Sequence, residues 1–202
     1  MDEIRLVRHA ETPWTGRRYC GRSDPPLSAA GKRAAGRIAA EIAGEFRSGV
    51  AAQFRSGVQI VCSPLLRARQ TADAISSAMP GARLEIDERW AETDFGIAEG
   101  LTYEELAHVS PAIAARLVQG DTAIDWPGGE TAAALAARVE AAWRDLGKHE
   151  RPVLVVSHGG PLRIAIALAT NRPVSSVTAP GPGSVWRLPR VSRSVATPLP
   201  ER

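Results

Sequence analysis

Cysteine is scarce: the 202 residues hold two, Cys20 and Cys62. Two thiols cannot build the disulfide framework of a small secreted domain or a cysteine-rich zinc site. Histidine is nearly as scarce, with four residues at positions 9, 108, 149 and 158. None stands at the HxH or HxxxH spacing that would bring two imidazoles to one ion, so a metal site has no support in the sequence. Long apolar runs are missing as well; none approaches the ~20 residues that span a bilayer. The start, Met1-Asp2-Glu3-Ile4-Arg5, carries acids where a secretory signal needs bases, and no apolar core follows. The expectation is a cytoplasmic protein with no membrane partner. An excess of one charge is also absent: 25 Lys+Arg oppose 22 Asp+Glu, a net charge of +3. The basic residues are almost all arginine and are scattered. No basic block or aromatic-interleaved strip marks a nucleic-acid surface, so no nucleic-acid partner is expected.

What is present is an ordinary globular composition, 44% hydrophobic and 23% charged. The length suits one domain, read as residues 1–189, followed by a polar, proline-containing tail, 190–202, expected to be flexible. Ile4–Arg8 reads as a short strand ending at Arg8-His9. Residues 10–26 hold Gly16, Gly21, Pro25 and Pro26 and read as loop. From Ser28, an N-cap type, Leu27, Ala34, Ile38, Ile42 and Phe46 recur near a 3.6-residue period and predict a helix. Phe46-Arg47-Ser48-Gly49-Val50 then recurs as Phe54-Arg55-Ser56-Gly57-Val58. One pair of copies is too little for a solenoid and reads as a local duplication that lengthens a connection.

Val58–Cys62 is a second buried-type strand, and Ser63-Pro64 is expected to open a helix running through Ala78. Arg83–Asp87 predicts a third strand, and residues 102–119 predict two short helices around Pro111. Asp125–Gly129 is a loop. Glu130–Leu146 predicts an amphipathic helix with Leu135, Val139, Trp143 and Leu146 on one face. Val153–Ser157 is the clearest buried strand. Gly159-Gly160-Pro161 leads into a helix through Ala169, and Ser184–Leu188 is a final strand. Apolar strands alternating with amphipathic helices predict an α/β fold, a three-layer α/β/α sandwich with a mostly parallel central sheet. Ligands of such sheets bind beyond the carboxyl ends of the strands. His9 follows the first strand, His158 follows Val153–Ser157, and Arg67 lies one helical turn beyond the second strand.

Leu6-Val7-Arg8-His9-Ala10-Glu11-Thr12 resembles the signature of the histidine phosphatase (phosphoglycerate mutase-like) superfamily. Four further segments extend the resemblance over most of the chain. Cys62–Ala72 resembles that family's second arginine motif. Glu92-Thr93-Asp94-Phe95-Gly96 with Glu99-Gly100 resembles its acid-bearing loop. Pro127-Gly128-Gly129-Glu130 resembles a segment of its phosphatases, and Val156-Ser157-His158-Gly159-Gly160 resembles its second histidine motif.

The resemblance implies hydrolysis of a small phosphomonoester through a phosphohistidine. His9 would be the nucleophile, a neutral imidazole attacking phosphorus in line. Arg8, Arg67 and His158 would hold the phosphoryl oxygens, with the Gly159 N–H beside them. Glu92, preferred over Glu88, Asp94 and Glu99, would protonate the leaving oxygen and then deprotonate water. With two arginines at the phosphate, neither Mg²⁺ nor another cofactor is required. Arg69, His108 and His149 read as surface residues. Trp14, Trp126 and Trp143 read as packing, with Trp126 placed where it can also line the pocket.

Three positions depart from the family pattern. Thr15 stands where an asparagine often donates to phosphate, and its hydroxyl is shorter. Cys20 stands before Gly21, in the substrate-binding loop, where a stronger hydroxyl donor is common. Ala98 stands where many relatives have tryptophan, which widens the pocket or leaves another side chain to fill it. Both cysteines flank the expected site and so are candidates for oxidation.

Between Leu101 and Gly129 there is one arginine, Arg116, and no arginine pair for a second anionic group. This favours the phosphatases, with the spacing from His9 to Gly21 most like the α-ribazole phosphatase branch and sugar phosphates an equal possibility. The alternatives are a cofactor-dependent phosphoglycerate mutase or a non-catalytic phospho-ligand binding module. The chain is expected to act as a monomer or homodimer.

Overall fold

A computed structural model describes residues 3–47 and 57–189. The repeated segment falls largely between these spans, and the expected 190–202 tail falls after them, so both readings lie outside the described residues. Five strands, β1 (Glu3–Arg8), β2 (Gln59–Cys62), β3 (Arg83–Ile86), β4 (Val153–Ser157) and β5 (Val185–Pro189), form one sheet in the order β3-β2-β4-β1-β5. All neighbours are parallel except β5, which runs antiparallel to β1. The sheet is mostly parallel, as expected. The helices are α1 (Ala29–Arg47), α2 (Leu66–Ala78), α3 (Tyr103–Val109), α4 (Pro111–Val118), α5 (Ala132–Leu146) and α6 (Gly159–Thr170).

Strand alternation distributes the core to both faces. Ile4, Leu6, Val153 and Val155 pack with Val139, Trp143, Leu146, Leu162 and Ala165 of α5 and α6. Val7, Ile60, Leu154 and Val156 point the other way and pack with Ile38, Ile42, Ala68, Ala72 and Ile75 of α1 and α2. The α1 stripe is the one the sequence periodicity predicts, and Ser28 does cap the helix, its hydroxyl accepting from Gly31 N–H at 2.9 Å. The α5 stripe is also as predicted, but the helix begins at Ala132, because Thr131 caps it by accepting from Ala134 N–H at 3.1 Å.

The predicted start of α2 requires correction. Ser63-Pro64 does not open the helix, which begins at Leu66. Leu65 is still extended (φ −69°, ψ 137°), and the first helical N–H, of Leu66, is met from a distant loop by Asp24 Oδ1 at 2.6 Å. An outside cap therefore replaces Ser63 at the helix start.

The helices α3 and α4 flank Pro111 as expected, and Thr102 opens α3 with a capping box to Glu105. They do not cover the sheet. They carry a small core of their own, in which Leu106 and Ile113 meet Ala98, Ile124 and Trp126, with Tyr19 and Phe95 packed against it.

The segment bearing Glu92 is held largely by side chains: Ser157 Oγ donates to the Trp90 carbonyl at 2.6 Å, and Arg138 makes the most contacts. Arg138 of α5 donates to the carbonyls of Arg89 (2.7 Å), Ala91 (2.6 Å) and Glu92 (3.1 Å) and pairs with Glu130 at 2.6 and 2.8 Å. Both partners are largely buried, with 16% and 12% of their side chains exposed. Removing one member strands the other away from water. Arg138→Met is expected to lower the unfolding free energy by about 3 kcal/mol, seen as a lower urea midpoint at unchanged slope.

Candidate active site

The register of two adjacent strands places the two imidazoles together. Arg8 pairs with Ser157, so the residues that follow, His9 and His158, leave the sheet side by side. Their ring centroids lie 4.9 Å apart. The third strand of this group ends one step earlier, with Cys62 opposite Val156, and delivers Ser63 beside them. The first turn of α2 then brings in Arg67. The structure thus brings together His9, His158, Arg67 and Arg8 at the carboxyl edge of the sheet.

His9 is 5% exposed. Its Nδ1 lies 2.7 Å from the carbonyl oxygen of Ala10. A carbonyl can only accept, so Nδ1 carries the proton and Nε2 keeps its lone pair. That lone pair receives the Arg67 Nε–H at 3.3 Å, a long hydrogen bond. Burial is the main cause that pushes the His9 imidazole down to about 3, with the charges of Arg67 and Arg8 adding to it against the Ala10 hydrogen bond. His9 is therefore neutral at neutral pH, with its Nε2 lone pair turned to Arg67.

Arg67 is 1% exposed and is held by backbone. Its Nη1 donates to the Ser23 carbonyl (2.8 Å) and its Nη2 to those of Cys20 (3.0 Å) and Gly21 (2.8 Å). Arg8 donates Nη1 to the Pro180 carbonyl at 2.6 Å. Burial lowers the Arg8 guanidinium, Glu92 raises it and Arg67 lowers it. Gly159 lies against this group: a Cβ there would come 3.3 Å from Arg8 Nη1.

Glu92 sits opposite, 7% exposed. Its Oε1 accepts from the N–H of Thr93 (2.9 Å) and of Gly160 (3.2 Å). A Cβ at Gly160 would come 2.6 Å from that oxygen. The other acids do different work. Glu88 is exposed, Asp94 accepts from Gly96 N–H at 2.9 Å, and Glu99 fastens the loop around Cys20. Glu99 accepts from Arg22 N–H, from the N–H and hydroxyl of Ser23, and from Phe95 N–H, at 2.6 to 3.0 Å. Burial alone would raise its carboxyl, but these hydrogen bonds outweigh it and hold Glu99 below the usual range.

The residues of the loop after β1 fall in different places. Gly21 is buried, and any side chain there would collide with Glu99, the Thr93 carbonyl and Phe95. Cys20 contributes its carbonyl to Arg67, while its thiol donates toward the Ser23 carbonyl at 3.6 Å. Thr15 turns back into its own bend: its hydroxyl accepts from Thr12 N–H at 2.9 Å and lies 3.3 Å from the Thr12 hydroxyl. Ala98 is fully buried in the small α3–α4 core against Trp126, so its small side chain is matched by a neighbour's bulk. Trp126 belongs to that core, its ring 4.7 Å from Phe95.

Oxidation-prone cysteines are not what the structure contains. Burial pushes the Cys20 thiol up to about 11 and the Cys62 thiol up to about 12, and only the thiolate is reactive. Arg69 and His108 are exposed, as expected.

Four contributors escaped the sequence reading: Ser63, Gly160, Arg138 and the fastening role of Glu99. Three of them lie inside or beside recognisable motifs, but each acts across space on a residue 46–95 positions away, and no local periodicity reports that. The Pro127–Glu130 segment has a similar account. Its backbone closes on the acid loop through Ile97 N–H to Pro127 (3.0 Å) and Glu130 N–H to Asp94 (2.9 Å).

Known proteins resemble this chain in sequence and fold. Residues 4–188 match the model of the histidine phosphatase superfamily (branch 1). Bifunctional protein Rv2228c of Mycobacterium tuberculosis is 37% identical over 187 residues, which are 91% of this chain and 46% of that protein. The chain thus spans about half the length of that curated relative. Probable phosphoglycerate mutase GpmB of Escherichia coli is 33% identical over 177 residues, 86% of this chain and 77% of that one. Among solved structures, mycobacterial glucosyl-3-phosphoglycerate phosphatase superposes with a TM-score of 0.77 at 29% identity, covering 92% of this chain and 89% of that one. Sheet order, two histidines at adjacent strand ends, and a family match over nearly the whole described length agree: the chain belongs to the histidine phosphatase superfamily.

Proposed function

We propose that this chain is a phosphomonoester hydrolase working through a phosphohistidine on His9, with residues 1–189 as its single hydrolase unit. The observation that carries the reading is the unprotonated His9 Nε2, fixed by the Ala10 carbonyl and facing the charge of Arg67. A phosphate entering between them takes over the Arg67 N–H that now caps Nε2, so the donor that restrains the nucleophile becomes a ligand of the phosphoryl group.

In the first step Nε2 attacks phosphorus in line, the P–N bond forms and the P–O bond to the leaving group breaks. Arg8, Arg67 and His158 take the charge of the equatorial oxygens, with the Gly159 N–H beside them. Glu92 gives its proton to the departing oxygen. In the second step a water attacks phosphorus from the vacated side and gives a proton to Glu92. The P–N bond then breaks, its electron pair returns to Nε2, and inorganic phosphate is released. Arg8 and Arg67 supply the positive charge, so the reaction needs no Mg²⁺. Cys20 and Gly21 form the loop that meets the rest of the substrate. Thr15 contributes through the Thr12 bend, and its hydroxyl reaches phosphate only by leaving that bend. The substrate is a small phosphorylated metabolite such as a sugar phosphate, a phosphoglycerate derivative or α-ribazole phosphate. We place the protein in the cytoplasm, as a monomer or homodimer without nucleic-acid or membrane partners.

A mutase reading is favoured by the likeness to GpmB. Against it, Arg116, the one arginine between Leu101 and Gly129, is bonded to Asp121 at 2.8 Å and to the Ala123 carbonyl at 3.2 Å. It is not free to hold a second anionic group. A mutase would return phosphate to 3-phosphoglycerate when primed with a bisphosphorylated compound; the hydrolase releases it to water.

Phosphate release from a panel of phosphomonoesters, with chelator present, tests the reading. His9→Ala is expected to lose at least ~10⁴-fold in kcat, and retained turnover would overturn it. Glu92→Gln is expected to lose about 10²- to 10⁴-fold on alkyl phosphates and far less on nitrophenyl phosphate, whose leaving group departs without a proton. Equal losses on both would remove Glu92 as the acid. Rapid-quench measurement of phosphohistidine formation is expected to show no loss from about pH 8 to about pH 5, because His9 stays neutral to about 3; a break near the ordinary imidazole value would contradict this.

A further inference from the structure

His158 stands against His9, ring centroids 4.9 Å apart, and its tautomer decides which ring nitrogen can donate. It is fully buried. Its Nε2 lies 2.7 Å from the Ser63 hydroxyl, and its Nδ1 is buried with no protein partner among the described residues. Burial, with the charges of Arg67, Arg8 and Arg138 behind it, holds the imidazole well below its ordinary value, so it carries one proton. That proton can sit on either nitrogen.

The Ser63 hydroxyl is not symmetric in this contact. Ser63 is completely buried, and its Oγ already accepts the N–H of Leu65 at 3.3 Å. Its own proton has one acceptor within reach among the described contacts, the lone pair of His158 Nε2. If His158 carried its proton on Nε2, the serine hydroxyl hydrogen would be left buried and unmet, at a cost of about 1–3 kcal/mol. Asp24 meets the Leu66 N–H, while the Ser63 hydroxyl lies at the imidazole.

We infer that Ser63 is a positioning residue of the catalytic site: by donating to Nε2 it fixes His158 as the Nδ1–H tautomer, so that a neutral histidine presents a donor to the phosphoryl oxygens. The inference rests on the reading of His158 as a phosphoryl ligand. In the opposite tautomer His158 would turn a lone pair toward anionic oxygens, which repels them. Nothing in this arrangement requires His158 to be protonated, so the pocket keeps a donor beside His9 without placing a second positive charge against the nucleophile.

The test is long-range ¹H–¹⁵N correlation on the full chain labelled at histidine, without substrate, which distinguishes the two neutral tautomers directly. The wild type is expected to show His158 protonated on Nδ1. Ser63→Ala is expected to move the proton to Nε2 and to lower kcat by about 10- to 100-fold, nearer the lower end of losses seen for single oxyanion donors, with a smaller change in KM. Ser63→Thr, which keeps the hydroxyl, is expected to restore both. A wild-type spectrum with the proton on Nε2 would overturn the inference, even if every variant failed to fold. So would a Ser63→Ala spectrum still showing Nδ1–H, or a tautomer switch with unchanged kcat. Failure of the hydrolase reading itself would look different: no turnover of any ester by the wild type, whatever the spectrum.

Discussion

A buried guanidinium is the constraint around which this pocket is built. Taking such a charge out of water costs several kcal/mol unless its donors are met. Arg67 meets them with the carbonyls of Cys20, Gly21 and Ser23 and with His9 Nε2. Those carbonyls belong to a loop with no regular structure, so the loop must itself be fixed. Glu99 fixes it through the N–H groups of Arg22 and Ser23, and Gly21 lets it lie against Thr93 and Phe95 without collision. One side chain on α2 therefore sets the position of the loop after β1 and, through Glu99, ties that loop to the acid segment. Specific residues follow from that demand: a glycine where backbone meets backbone, and a carboxylate where amides converge.

The electrostatics divide the labour. Arginines stay charged when buried, because their basicity is far from neutral pH. Imidazoles do not, and His9 and His158 are kept neutral by burial and by the arginines themselves. Positive charge and an unprotonated imidazole lone pair thus coexist within one small volume. The cost appears in acid. The unfolded chain takes up a proton on His9 below about 6.5, while the folded imidazole resists it to about 3. The folded state accordingly loses stability as pH falls through that window.

Much of this was legible in sequence for a physical reason. His9, Arg8 and His158 stand at the ends of strands whose apolar runs are unmistakable, and a strand end is where a parallel sheet presents its chemistry. The continuous apolar runs, Val153–Ser157 above all, alternating with amphipathic helices, also point to helices on both faces, and Leu6 and Val7 do turn to opposite cores. The α2 start was not legible. Ser63-Pro64 has the composition of a helix opening, and the cap that displaced it, Asp24, is 42 residues from Leu66. The same displacement hid the contact between Ser63 and His158. Thr15 stands where relatives often have an amide donor, yet its hydroxyl closes the bend at Thr12, a competition that spacing cannot reveal.

The α3–α4 segment stands apart from all of this. Leu106, Ile113, Ile124 and Trp126 bury one another with Ala98, separately from the two cores that cover the sheet. Its attachment to the rest runs through a few neighbours, among them Tyr19, whose N–H and carbonyl bond to Leu101 and Gly100 at 2.9 Å each. Packing defects are felt mainly where they are made. A lobe with a private core can therefore be lengthened, shortened or exchanged at little cost to the two cores that cover the sheet. Divergence is least costly in that lobe, and most costly at the strand ends where His9, Arg67 and His158 meet.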